Sequence, residues 1–432
     1  MVGCLLPAMF AASQGLGPPV SVVVPLGLDR PPPPSVDKVV AGIRLANSLD
    51  TENFTIQWSD PETPVSAAPI VAEALEDAWS SLVVDEQWGV PVSGDWAKIW
   101  VILDPDLAGT GLTTGLPTEM HPEGVPIIYL NPAYVEQPDF FRSLAVHEFG
   151  HALQFRVRTW YGAEETEPWF WEATSEWMTE VVAPEWDQYA WSARWYAQAP
   201  ELRFDSMEGY HQYGMMLLAA YIDEYRGGSQ AVWDIWHENQ GRSWLEEIEY
   251  ILGEDARETW PDFVGAYAAK QLQDSELYEA PIYAEPSGEI PGKLGSVYVD
   301  LGVVEGTVRL NGGVGTLVRD GAWFMFDTET SIPAGSGRVM VVVTNPDAGP
   351  LTYRVDVVNP ENETDEPASP VDGDMESGPP PLSDGPNTEA KGCSCASRGQ
   401  GGAMWGWLLG LVVGVRRRAT GRFASPRESP RP

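Results

Sequence analysis

The segment HEFGH, residues 147–151, places two histidines four positions apart in a stretch whose pattern becomes helical near Pro138. Residues four apart lie one turn apart on the same face of a helix, so both imidazoles are expected to point the same way. This spacing suits two ligands of one zinc ion, and a glutamate between them can reach a water held by that ion. The motif therefore predicts that His147 and His151 bind zinc and that Glu148 acts as a general base.

A catalytic zinc ion has three protein ligands and one open position, so a third ligand is expected elsewhere in the chain. An extended motif with glycine at position 154 and histidine at position 157 is excluded, because Gln154 and Val157 occupy these positions. The segment WFWEATSEW instead offers Glu172, which follows His151 by 21 residues, and Glu176 one helical turn later.

This combination resembles the gluzincins, the group of zinc peptidases that includes thermolysin and the zinc aminopeptidases. The resemblance covers roughly residues 95–227 and implies a zincin-like fold with Glu172 as the third zinc ligand. Glu176 matches the acidic residue that follows the ligand by four positions. Because zinc-bound imidazoles usually donate their other N–H to a carboxylate or carbonyl, we expect Glu176 to accept such a bond.

An alternative interpretation is that Glu172, Glu176 and Glu180 form an acidic stripe on the solvent face of a helix. Tryptophan, phenylalanine and methionine side chains surround the first two glutamates in the sequence, which favours burial and hence a partner for each carboxylate. Glu180 lies one turn beyond them and is expected to tolerate substitution.

A donor for the oxyanion of hydrolysis is expected near the start of a later helix, where Tyr210, His211 and Tyr213 precede Gly214. In the zinc aminopeptidases a tyrosine stands three residues before a glycine, and here His211 has that place. These three residues are therefore the candidate donors, with aromatic packing as the alternative for each. The resemblance also implies that the strand 126–130 is the sheet edge on which a peptide substrate docks.

The order of predicted elements indicates an α+β protein. Residues 35–280 are predicted to form the zinc metallopeptidase domain, with a mixed sheet followed by a mainly helical half. Residues 281–359 change to a period of two, with six short strands separated by glycine, Asn-Gly and proline turns, which predicts a C-terminal β-sandwich.

The ends of the chain have patterns of export and anchoring. Residues 1–34 read as a signal-like and proline-rich leader, and residues 360–392 as a disordered, acidic and proline-rich linker. Residues 393–418 resemble the MYXO-CTERM type of sorting tail, with cysteines, an apolar run at 403–415 and an arginine cluster. Residues 419–432 form a basic extension. These patterns predict a secreted protein at the cell surface, held by sorting machinery and by a membrane contact of residues 403–415.

The composition limits the partners. The formal net charge is −37, so binding to a nucleic acid is not expected. Together these features predict a surface-anchored zinc peptidase acting on a peptide or protein, resembling a myxobacterial family of surface metalloproteases. Two alternatives remain: a non-catalytic surface-binding protein with a structural metal, and a zinc hydrolase of a non-protein substrate.

Overall fold

A mixed sheet and a helical half form the first part of the chain. The structure, a computed structural model, describes residues 45–59, 65–91, 98–116, 125–157, 167–238 and 241–359, which all belong to one unit of mutual contacts. The predicted leader, linker, sorting tail and basic extension lie outside these residues. The start of the predicted 35–280 domain and several short segments within it also lie outside them.

The mixed sheet has five strands in the order β1-β2-β3-β5-β4. Strands β2, β3 and β5 are parallel, and the two outer strands, β1 and β4, each pair antiparallel with their neighbour. The strands are Asn47–Asp50 (β1), Phe54–Trp58 (β2), Ile99–Leu103 (β3), Gly111–Leu116 (β4) and Val125–Leu130 (β5).

The expectation that the strand 126–130 forms the sheet edge is wrong. Val125–Leu130 lies between β3 and β4, and the edge strand on this side is Gly111–Leu116. All but one of the residues of β5 are buried, as expected for a strand covered on both faces and paired on both sides. The edge strand was missed because its sequence, GLTTGL, contains two glycines and no strict alternation of apolar and polar residues.

One described helix lies between β2 and β3 in the chain, and the others follow the last strand of the mixed sheet. They are Ala67–Ala78 (α1), Pro138–Val157 (α2), Trp169–Val182 (α3), Gln188–Gln198 (α4), His211–Gly214 (α5), Met216–Arg226 (α6), Ser229–His237 (α7), Trp244–Leu252 (α8) and Ala256–Ala268 (α9). A π-helical segment at Trp79–Asp85 extends α1, and short 3₁₀ turns occur at Pro132–Tyr134, Pro184–Trp186 and Glu208–Tyr210. Helix α2 starts with proline followed by an acidic residue, a sequence that suits the free N–H groups and positive end of a helix.

Two antiparallel four-stranded sheets complete the described chain, in the orders β10-β9-β12-β7 and β11-β8-β13-β6. Their strands are Ser287–Ile290 (β6), Ser296–Val303 (β7), Gly306–Asn311 (β8), Val314–Arg319 (β9), Ala322–Phe326 (β10), Glu329–Ile332 (β11), Arg338–Thr344 (β12) and Leu351–Val358 (β13). Both sheets contribute to one hydrophobic cluster that contains Val299, Leu317, Val308 and Val355.

The α+β class, the mixed sheet, the helical half and the later antiparallel sheets are therefore confirmed. The six strands predicted beyond residue 281 are all present, and the two that were missed are β6 and β11. Both are edge strands of four residues with one buried side chain each, so they lack the alternating pattern that reveals longer strands.

Helix α9 joins the helical half to the antiparallel sheets by packing on β9, β10 and β12. The hydroxyl of Thr316 donates to the carbonyl oxygen of Pro261 at 3.0 Å, and the main hydrophobic core includes Val318 and Val342 from the sheet. The predicted boundary near residue 280 follows α9. Within the described residues, no helix has both the length and the apolar character needed to cross a membrane.

The contact between α9 and the sheet depends on Gly265. A Cβ atom at this position would lie 2.9 Å from Thr316 Cγ2 and closer still to the indole of Trp323. We expect Gly265→Ala to lower the free energy of unfolding by about 1–3 kcal/mol, because the helix must move away from the sheet. Chemical denaturation measures the change.

Gly349→Ala is the matched control for this test, since a Cβ atom there meets nothing within 4 Å. Equal effects of the two substitutions would show that the contact at Gly265 is not tight.

Candidate metal centre

Helices α2 and α3 bring the three predicted ligands together. His147 and His151 lie one turn apart on α2, and Glu172 lies in the first turn of α3. The helices approach closely at Gly150, where a Cβ atom would come within 2.9 Å of both Ser175 Oγ and Met178 Sδ. The glycine one residue before a ligand therefore lets the two helices pack closely, because a larger residue would displace the side chains of Ser175 and Met178.

The potential ligand atoms converge on one point. Glu172 Oε2 lies 3.2 Å from His147 Nε2 and 3.4 Å from His151 Nε2, and the three ligand atoms all lie within 4.8 Å of one another. Ligands of a tetrahedral zinc ion, with bonds of about 2.0–2.2 Å, are separated by about 3.4 Å. His151 Nε2 is buried and has no hydrogen-bonding partner among the described residues. The group can therefore hold a metal ion.

The other nitrogen of each imidazole is held by a hydrogen bond. His147 Nδ1 lies 2.9 Å from Glu176 Oε2, and His151 Nδ1 lies 2.8 Å from Gln154 Oε1. Both oxygens are acceptors, so each Nδ1 donates its N–H, and both Nε2 atoms face Glu172, where a metal ion would take the place of a proton. This is the tautomer that a metal ligand needs.

The residues that hold the imidazoles are themselves held by hydrogen bonds. Ser192 Oγ on α4 donates to Glu176 Oε1 at 2.7 Å. The side-chain amide of Gln154 donates to Trp171 O at 3.0 Å and to Thr174 Oγ1 at 2.9 Å, which leaves its oxygen as the acceptor for His151. The orientations of both imidazoles are therefore determined by contacts with α3 and α4.

The site attracts positive charge. Burial alone would lower the pKa of His147, but the carboxylates of Glu172 and Glu176 outweigh it and raise that pKa to about 10. Burial alone would raise the pKa of Glu172, and the two imidazoles bring it below the ordinary value for a glutamate. A proton or a metal cation between these side chains is therefore strongly favoured.

Glu148 faces the edge strand of the mixed sheet. Its carboxylate is fully buried, and Thr113 Oγ1 of β4 lies 2.8 Å from Glu148 Oε2 and 2.8 Å from the carbonyl oxygen of the same residue. A side chain at Gly111 would collide with Glu148 Oε1, so glycine is needed where the strand passes the carboxylate. The edge strand and the predicted base are therefore in direct contact.

Of the three candidate donors, Tyr213 lies nearest the predicted ligands. Its ring centroid is 5.9 Å from that of His147, and Tyr210 lies 6.2 Å from Tyr213. The ring of His211 lies 5.7 Å from that of Tyr196, and neither of its nitrogens has a hydrogen-bonding partner among the described residues. Burial lowers the pKa of His211 to about 4, so it is neutral at physiological pH.

The three glutamates of α3 do not form a solvated stripe. Glu172 is 3% exposed, Glu176 4% and Glu180 8%, so the surface alternative is wrong for this helix. Tolerance of substitution at Glu180 stays a prediction, but the side chain is buried rather than solvated. Glu180 Oε2 has no hydrogen-bonding partner among the described residues, and burial together with the charges of Glu224 and two aspartates raises the pKa of Glu180 to about 8.

Sequence reasoning missed Gln154, Thr113 and Ser192. Gln154 follows His151 by three positions on the same helix face, so helical spacing contained a signal for it. Thr113 and Ser192 come from distant segments, and their contacts arise only when β4 and α4 pack beside α2 and α3.

The hydrogen bonds to the imidazoles are predicted to control metal affinity. We expect Gln154→Leu and Glu176→Gln each to weaken zinc binding by about 10- to 100-fold, because an imidazole loses its fixed orientation or its best acceptor. Glu172→Gln should weaken binding more, since it replaces a direct ligand by a poor one. Competition with a chromogenic chelator measures the affinities.

Glu185→Gln, at an exposed position just beyond α3, is the control and should leave zinc affinity unchanged. Thermal unfolding of each variant shows whether it is folded. Wild-type affinity in both Gln154→Leu and Glu176→Gln would contradict the assigned roles.

Glu180 is predicted to make stability depend on pH. The folded protein keeps this proton up to about pH 8, whereas an unfolded glutamate loses it near 4.5, so folding takes up a proton between these values. Stability therefore falls as the pH rises through this window. We expect Glu180→Gln to raise the free energy of unfolding at pH 8 and to have little effect near pH 4.5, as measured by urea unfolding. A stabilisation of equal size at both pH values would contradict the prediction.

Comparison with known proteins finds one family that matches part of the chain, and no activity. Residues 61–274, which contain every predicted ligand, base and oxyanion donor, match a family described only as a family of unknown function (DUF6055). A search of curated proteins finds no match to the chain. The candidate metal centre therefore lies within a segment that is similar to proteins of this family.

Proposed function

We propose that the protein is a zinc-dependent peptidase of gluzincin type, with a zincin-like fold in residues 35–280. The observation that carries the proposal is the buried convergence of His147, His151 and Glu172 beside Glu148, the residue between the two histidines. Two imidazoles and one carboxylate, with a position left open, are the ligands typical of hydrolytic zinc sites.

The metal and the protein have separate tasks in the proposed reaction. Zinc bound by the three ligands would lower the pKa of a water molecule and polarise the carbonyl group of the substrate. Glu148 takes a proton from the attacking water and delivers it to the leaving amine. Thr113, which contacts the Glu148 carboxylate, orients this base.

Tyr213 is the strongest candidate for stabilising the developing oxyanion. Its ring lies beside His147 and its side chain is buried, so its hydroxyl acts in a medium where a hydrogen bond is stronger than in water. Tyr210 lies further from His147, because its ring contacts that of Tyr213. His211 is neutral and packs on Tyr196, which favours a structural role for it.

The edge strand offers a place for a peptide substrate. Within the described part of the chain, Gly111–Leu116 pairs with β5 on one side only, and Thr113 and Gly111 of this strand contact the proposed base. An extended peptide can add to such an edge through backbone hydrogen bonds. The scissile bond would then lie close to Glu148, which favours a peptide over other hydrolysable substrates.

One observation favours the alternative of a structural metal in a non-catalytic surface protein. The three ligands are only 1–3% exposed, and structural zinc sites are closed. A structural site, however, normally has four protein ligands and needs no base. Among the described residues, the only group of three or more potential ligand side chains is His147, His151 and Glu172.

The proposed location is the cell surface, with export, sorting and membrane contact through the leader and the tail. This part of the proposal is supported by sequence patterns in residues 1–34 and 393–418, which lie outside the described residues.

The test of the peptidase is Glu148→Gln. We expect the variant to bind about one zinc ion per chain and to lose at least about 100-fold in turnover of a casein-type substrate, because the ligands remain while the base is gone. A chelator should abolish wild-type turnover, and added zinc should restore it.

Asp139→Asn, an exposed change at the start of the same helix, is the control and should keep full activity. Zinc bound with no turnover of casein or of a peptide library would support the structural-metal alternative. Full activity in Glu148→Gln would rule out the proposed mechanism.

A further inference from the structure

A row of aromatic rings leads from the candidate metal centre to the surface. Starting at His147, neighbouring ring centroids are separated by 5.9 Å to Tyr213, 6.2 Å to Tyr210, 5.2 Å to Trp195 and 5.6 Å to Trp191. Exposure increases along this aromatic row, from 1% at Tyr213 to 36% at Trp191. The row therefore connects the buried centre with solvent.

The backbone at Tyr210 is held in an unusual conformation. Gly209 and Tyr210 both adopt left-handed conformations, with φ of 61° and 67°. This conformation is unfavourable for a tyrosine and persists only where surrounding contacts maintain it. In this conformation the ring of Tyr210 packs between those of Trp195 and Tyr213, tilted by 50° and 47° relative to them.

A guanidinium group lies at the outer end of the aromatic row. Arg194 Cζ is 3.2 Å from the ring centroid of Trp191 and 4.4 Å from that of Trp195. Such contacts fix the position of a cation over the rings, and they leave its N–H groups available for hydrogen bonds in the plane of the guanidinium.

Arg194 has no anionic partner in the part of the chain that the structure describes. Among the described residues, Arg194 forms no ion pair and no hydrogen bond, and its Nε is buried without a partner. By contrast, Arg142, Arg226 and Arg242 each pair with an acidic side chain. In a chain with 63 acidic and 26 basic residues, an arginine without a carboxylate is unexpected.

Electrostatics also leave Arg194 undercompensated. Burial lowers the pKa of its guanidinium, and the charge of Glu279 opposes this effect from beyond ion-pair distance. A half-buried cation in this situation gains from a bound anion. A single carboxylate fits better than a polyanion, because the net charge of −37 repels an extended anionic polymer.

We propose that Arg194 and the aromatic row form a substrate subsite that binds a carboxylate group of the peptide. The subsite rests on the proposed function and gives it a substrate class: peptides with an acidic side chain or a free C-terminal carboxylate at a set distance from the cleaved bond. An extended peptide advances about 3.3 Å per residue, so the carboxylate would lie within about seven residues of the metal centre.

Binding of matched peptides to the zinc-loaded full chain tests the subsite. All the peptides are acetylated hexapeptides built from alanine and leucine. In the first pair both C-termini are amides, and one member contains a glutamate where the other contains a glutamine. In the second pair one member has a free C-terminal carboxylate and the other has a C-terminal amide. We expect wild type to prefer the acidic member of one pair by about 10-fold or more, as charge-assisted hydrogen bonds to arginine allow. The pair that shows the preference identifies the source of the carboxylate.

The variants separate charge from packing. Arg194→Gln should reduce the preference to about 1, and Arg194→Lys should keep part of it, because lysine retains the charge without the planar fork. Arg257→Gln removes an exposed arginine whose partner is Asp347, and it should leave the preference unchanged. Zinc content and thermal unfolding confirm that each variant is folded.

The outcomes distinguish the subsite from the peptidase. Equal binding of both members of both pairs by wild type, or a full preference in Arg194→Gln, would overturn the subsite. Turnover of the same peptides is measured in parallel. A preference in binding without any turnover would support the subsite and contradict the proposed peptidase activity. Turnover without a preference in binding would support the peptidase activity and contradict the subsite.

Discussion

The burial of charged groups between α2 and α3 is the constraint on which the site depends. Glu172 and Glu176 lie among tryptophan and phenylalanine side chains, where an unpaired carboxylate would cost several kcal/mol. The imidazoles of His147 and His151 and the hydroxyl of Ser192 are the partners that prevent this cost. Each partner comes from a different turn or helix, so the relative positions of α2, α3 and α4 are set by these polar contacts as much as by the apolar core.

The same constraint extends to the sheet. Glu148 is buried on α2 and touches the edge strand, where Thr113 contacts its carboxylate and Gly111 leaves space for it. Further along the strand, a side chain at Gly115 would collide with the ring of Phe155. The two glycines lower the β propensity of the strand, and they allow its backbone to lie directly on the helix that carries the motif. The local cost in strand formation is offset by the contact it permits.

Charge is distributed unequally around the centre. Burial, together with neighbouring acidic side chains, raises the pKa values of Glu180 and Glu224, so these two carboxyl groups destabilise the fold as they ionise. Arg194 on α4, by contrast, is a cation without a carboxylate partner among the described residues. The buried acidic groups and the unpaired arginine are both unfavourable for the stability of the fold. Arg194 also lies at the outer end of the aromatic row that leads to the metal centre.

The local spacing of residues was enough to predict the helix that carries His147, Glu148 and His151, because the period of a helix places them on one face. Burial of Glu172 and Glu176 followed from their aromatic neighbours, and the strands beyond residue 281 followed from their alternation. Sequence reasoning placed the sheet edge at 126–130 and missed Thr113, Ser192 and the burial of Glu180. A periodic pattern shows which face of an element is apolar, but the neighbour that covers this face is chosen by packing between distant segments.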